Sequence, residues 1–184
     1  MLESIAGYIQ SNSGEILARF IDFFRKPFIN KEMVWMIIPA VVTIIVMEIY
    51  YSKHKKELTG WNTATANSLV LIFIAMDLFR FLSNKGSLSF SNPGSYAFSA
   101  SVLVSIVLLE AIFMFVMDFS HIWPRFLAFH FSSHLTVNLI AYTSIVILYG
   151  GIPLTPPTFI AAIIFFLLMN LLFFLVRILY PSKG

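Results

Sequence analysis

Residues 130–138 read HFSSHLTVN, and where this stretch sits decides the fold. His130, His134 and Asn138 recur every four positions, so in a continuous helix they line one side. The flanks are different in kind: FLAF at 126–129 and LIAY at 139–142 suit lipid. Polar groups at hydrocarbon depth usually face the interior of a bundle and find partners there. The stretch therefore reads as the inward side of a membrane-spanning helix.

Composition supports that environment. Of 184 residues, 59% are hydrophobic and 11% charged, against about 25% charged in soluble domains. A chain this short cannot bury so much apolar surface in one water-soluble core. The net charge of +3 suits anionic lipid, and no basic patch interleaved with aromatics points to nucleic acid. There is no cysteine, which excludes disulfides, Cys-ligated zinc, iron–sulfur clusters and a cysteine nucleophile. The N-terminus, MLESIAGYIQSNSGEILARF, lacks a basic region followed by an apolar one, so no cleaved signal peptide is expected.

Working outward, the helix carrying HFSSHLTVN is expected to run unbroken from near His121 to Tyr149, with Pro124 in its first turn, where proline costs no hydrogen bond. Before it come spans at roughly Met33–Tyr51, with a kink at Pro39, Asn62–Leu82, capped by Thr59 or Asn62, and Tyr96–Phe119. After GGIPLTPP, a fifth runs from near Thr155, a candidate cap, to about Tyr180. Residues 1–29 interleave Ile5, Ile9, Ile16, Phe20, Phe23 and Phe24 with Glu15, Arg19, Asp22, Arg25 and Lys26. They read as an amphipathic helix lying in the interface plane, broken near Asn12-Ser13-Gly14 and stopped by Pro27. The expected fold is an all-α membrane protein of five transmembrane helices plus this N-terminal amphipathic interfacial helix. Residues 30–184 form the single transmembrane domain, and the termini lie on opposite sides. Lysine and arginine divide evenly between the two sides, so orientation is not set. Trp35, Trp61 and Trp123 fall near span ends, as an aromatic belt would place them.

Depth counting then groups the polar residues. From the turn near residue 120, Glu110 and His130 are each about ten residues away, ~15 Å along a helix. That places both near mid-membrane. Asn170 counts to the same level from Tyr180, and His134 lies one turn deeper, near Asp77. The expected site is a polar cluster of Glu110, His130, His134, Asp77, Asn138 and Asn170. Asp77 and Arg80, three apart, should pair. Asn67, Ser68 and Ser105 read as helix-packing residues, with small neighbours allowing close approach. Glu48 and Arg177 lie near span ends.

These residues fit several chemistries. His130 and His134 with Glu110 could ligate a divalent metal such as zinc, Asp77 supplying a further oxygen. Haem fits poorly, because both histidines would lie on one helix side. Carboxylates and histidines together are the parts of proton and ion paths, although no repeat or conspicuously broken pair of helices is visible. An acid beside an imidazole could also activate water. Phe126-x-x-x-His130 and His134-x-x-x-Asn138 are similar to two elements of glutamic intramembrane proteases over 13 residues. The paired glutamates with a downstream arginine that supply that family's base are missing, and membership is not assigned. The reading preferred is a small membrane protein that is not an enzyme, a component or scaffold of a membrane assembly. Its polar layer would fix helix register. The alternative is an ion-, proton- or metal-handling protein. Expected partners are the lipid bilayer, other membrane subunits or a second copy of the chain.

Overall fold

The computed structural model describes residues 2–53 and 60–179, and their regular structure is entirely helical. The order is α1 (Leu2–Ser11), α2 (Ser13–Ile29), α3 (Lys31–Lys53), α4 (Trp61–Asn84), α5 (Tyr96–Phe119), α6 (Arg125–Phe131), α7 (His134–Tyr149) and α8 (Pro156–Leu179). Four of these, α3, α4, α5 and α8, are long and apolar enough to cross a membrane. The pair α6 and α7, bent by 41° at the break between them, is long and apolar enough only when the two are taken together, which gives four or five spans in all. The protein is a polytopic helical membrane protein. The link at 54–59 with the proposed Thr59 cap, and residues 180–184, lie outside the described residues.

The fourth span is thus not one continuous helix. Ser132 and Ser133 interrupt it, and Pro124 stands just before α6 rather than inside a first turn. His130 and His134 therefore do not share a helix side. Serine and threonine side chains offer backbone groups an alternative to the helical ladder, and here they do so inside an apolar run.

Contacts at both ends fix the bundle's topology. α4 and α5 form an antiparallel hairpin, joined by Ser68 to Asp118 near one end and by the Ser89 amide to the Ser101 hydroxyl near the other. α3 runs antiparallel to α7: Asn30 meets Tyr149 at one end and Glu48 meets His134 at the other. α7 is apolar on all sides, the pattern of a helix enclosed by others, and most of its residues are buried. Leu78, Leu82, Leu139 and Ile145 form one core cluster, while Leu71, Ala75, Val107, Ala111, Val137 and Ala141 form a second. α8 sits at the margin, with only 11% of its spanning window buried.

α2 is tied to one end of this bundle at both its own ends. Glu15 accepts from the Thr155 hydroxyl at 3.4 Å, and Lys26 Nζ and Asn30 Nδ2 donate to the carbonyls of Gly150 and Tyr149 at 3.2 and 3.1 Å. Those last contacts occupy carbonyls that the end of α7 leaves without helical partners. The helix does not stop at Pro27 as expected; it continues to Ile29. Proline removes the amide that would bond the carbonyl of Phe23, and the Tyr142 hydroxyl donates to that carbonyl at 2.7 Å instead. α4 begins at Trp61 after Gly60, and Asn62 does not cap it, bonding only the adjacent Thr63 amide.

Candidate functional site

The polar residues converge where α4, α5 and the α6–α7 break meet. Asp118 stands one residue before the end of α5 and is fully buried. Its Oδ2 accepts from Ser68 Oγ at 2.7 Å and Ser132 Oγ at 2.6 Å, and its Oδ1 accepts from Trp123 Nε1 at 2.8 Å. A carboxylate is an acceptor-only group with room for several donors, so one side chain ties α4, α5, the loop and the break together. Trp123 reaches it because the chain reverses sharply after α5. His121 takes a left-handed conformation, φ 53°, the amides of His121 and Ile122 return to the Asp118 and Met117 carbonyls, and its ring stacks on Trp61 at 4.4 Å.

The break interrupts the helical ladder where Ser132 is fully buried, so its backbone groups need other partners. Asn67 Nδ2 donates to the Ser132 carbonyl at 2.8 Å, and Thr136 Oγ1 donates to the His130 carbonyl at 3.0 Å. Ser133 caps α7, its hydroxyl oxygen accepting from the Thr136 amide at 3.2 Å. The hydroxyls and amide of HFSSHLTVN and its neighbour Asn67 therefore stitch a broken helix.

Beside the break, His134 Nε2 lies 3.0 Å from Glu48 Oε1, with the two residues 4% and 2% exposed. Glu48 reads in sequence as an unremarkable residue near a span end; in three dimensions it is the buried partner of the histidine that opens α7. Among the described residues, Arg19 Nε is the sole buried side-chain polar atom without a hydrogen bond.

Several members of the expected cluster lie elsewhere. Glu110 and His130 are exposed, and no hydrogen bond or ion pair joins them. Depth explains the separation. The count from residue 120 assumed that the next helix starts at once and runs straight. Instead 120–124 is loop, and α6 has only returned to the level of Asp118 when Ser132 is reached. Glu110 lies eight residues beyond Asp118 along α5, about 12 Å deeper. Asp77 pairs with Arg80 and accepts from the Tyr149 hydroxyl at 3.2 Å. It sits about 15 Å along α4 from Asn67, and so not at the level of His134. Asn138, Asn170 and Ser105 bond carbonyls four residues back on their own helices, those of His134, Phe166 and Ser101. Asn67 and Ser68 do bond across helices. Among the described residues no group of three or more His, Asp or Glu side chains could hold a metal ion, so His130, His134 and Glu110 form no such set. The residues missed in sequence are Asp118, Glu48, Ser132 and Trp123. A usable signal was present: Ser133 is a residue type favoured at helix N-caps, standing inside an apparent span.

The fold and this polar core define a helical, multi-pass membrane protein in which a side-chain network braces a broken span. No protein-family model matches the chain, and neither a curated protein nor a solved structure gives a match.

Proposed function

We propose that the protein is a structural, non-enzymatic component or scaffold of a membrane assembly, in which the polar interior holds the bent span in place. On this reading the chain crosses five times, with its termini on opposite sides and α2 lying at the interface. The observation that carries it is the use of Asp118: fully buried, its carboxylate receives donors from three parts of the chain. Such a group is spent on cohesion, and a half-satisfied network would be costlier than an apolar one. Broad apolar faces on α3, α5 and α8 remain for lipid or other subunits.

The Glu48–His134 pair favours a second reading, proton or ion handling, since buried carboxylate–imidazole contacts are parts of such paths. One experiment separates the two. Full-length protein in liposomes is assayed for proton and zinc flux and for thermal stability, alongside Glu48→Gln and Asp118→Asn. The structural reading expects flux no greater than empty liposomes and a lowered melting temperature for Asp118→Asn. Flux in the wild type that Glu48→Gln abolishes at unchanged stability would overturn it.

A further inference from the structure

Glu110 is the one acidic side chain that α5 presents outside the buried network. It lies fourteen residues from the start of α5 and nine from its end, about 21 and 14 Å from the two ends, so it is placed in the hydrocarbon. Apart from Ser101, which is buried under the loop before α5, the buried residues of α5 form one stripe of Ala100, Val104, Val107, Ala111, Met114 and Asp118. Glu110 lies about 80° around the helix from the centre of that stripe, and no hydrogen bond or ion pair to it occurs among the described residues. Lipid tails offer it no donor. A charged group at this depth costs about 2.5–3.5 kcal/mol on insertion scales.

The same flank carries a second regular seam. Ser99, Leu103, Ile106, Glu110, Phe113 and Met117 follow one another at spacings of four and three. That is the 3.5-residue repeat along which helices pack side by side, where a single polar position fixes register and partner number. The flank is walled only toward its ends. Leu154 and Phe159 close a groove of about 220 Å³ against Ser99, Leu103 and Ile106, and Trp123 packs edge-on to Phe113 at 5.9 Å. Glu110 occupies the opening between them. Ile106 and Phe113, on either side of it, are each 55% exposed.

We infer that this seam of α5 is a self-association surface, occupied by α5 of a second copy of this chain, with the two Glu110 carboxyl groups facing each other at its centre. A two-fold axis along the membrane normal keeps every residue at its own depth, so the group that Glu110 meets at its own height is the partner's Glu110. A carboxyl group donates when protonated and accepts when ionised, so two at one height bond to each other by sharing a proton. Arg80 on the neighbouring α4 is already paired with Asp77. Self-association through α5 holds whether or not the polar interior is structural.

The absence of native cysteine makes the test clean. Ile106→Cys and Phe113→Cys, placed separately in the full chain in lipid vesicles, should each give a disulfide-linked dimer on mild oxidation. Ile163→Cys and Leu171→Cys, on the exposed side of α8, should not. Dimer affinity, followed by energy transfer at varied protein-to-lipid ratio, should fall about tenfold in Glu110→Leu, equivalent to ~1.4 kcal/mol. Glu110→Gln, which keeps a donor and an acceptor, should retain most of it. Because Glu110 is exposed, neither change removes an internal contact, and an unaltered melting temperature of the monomer verifies that. A chain that stays monomeric at all ratios, cross-links as readily from α8 as from α5, or dimerises equally with Leu at 110 overturns the inference.

Discussion

Asp118 shows how much a single side chain can organise. Its two oxygens receive hydrogen bonds from α4, from the loop after α5 and from the α6–α7 break, all in a site closed to solvent. Removing it strands the Ser132 hydroxyl and the Trp123 N–H, each costing ~1–3 kcal/mol when buried without a partner, while Ser68 keeps the Ala64 carbonyl at 3.0 Å. Asp118→Ala is therefore expected to lower stability by about 3 kcal/mol or more, measured by denaturant titration in detergent micelles. Trp123→Phe keeps the ring and deletes one donor, and should cost about 1–2 kcal/mol. A Trp123→Phe loss as large as that of Asp118→Ala would place the weight on aromatic packing instead. Sequence reading reached the polarity of this region and missed its centre. Asp118 sits one residue from a helix end, where a carboxylate ordinarily meets water or headgroups. Only the reversal through His121, a left-handed residue that no pattern marks, returns the loop over it.

At the scale of elements, two helices depend on partners supplied from far along the chain. α2 passes through Pro27 because Tyr142 on α7 donates to the Phe23 carbonyl that proline leaves open. Tyr142→Phe should cost about 1–2 kcal/mol. In a Pro27→Ala background, where the backbone amide is restored, the same change should cost much less, and equal costs in both backgrounds would refute the exchange. α7 ends in a left-handed Gly151, φ 59°, whose amide and that of Ile152 return to the Leu148 and Ile147 carbonyls. A side chain in that conformation costs roughly 1–2 kcal/mol, so Gly151→Ala should lower the unfolding midpoint by a corresponding amount. The long elements were legible because their apolar runs match the bilayer. α3, α4, α5 and α8 start and stop within a few residues of the hydropathic boundaries. The break in the fourth span was not, because the apolar residues around Ser132 and Ser133 read as one run, and only side chains remote in sequence, Asn67 and Asp118, make an interruption affordable there.

For the whole molecule, α7 is the axis on which the others are arranged. α3 and α4 flank it, α5 braces its start through Asp118, and α2 closes its end through Lys26 and Asn30. Depth along a straight rod misplaced Glu110 and His130 in a common layer, since rotation and the loop at 120–124 set their positions more than residue count did. The contact on which this arrangement turns is the 2.6 Å bond between Ser132 and Asp118, which locks the broken span to the α4–α5 hairpin. A double-mutant cycle of Ser132→Ala and Asp118→Asn measures it directly. Residues in one hydrogen-bonded network couple by 0.5–3 kcal/mol, and a coupling of about 1 kcal/mol or more is expected here. Stability losses that simply add, to within roughly 0.3–0.5 kcal/mol, would contradict the bond and the braced break with it.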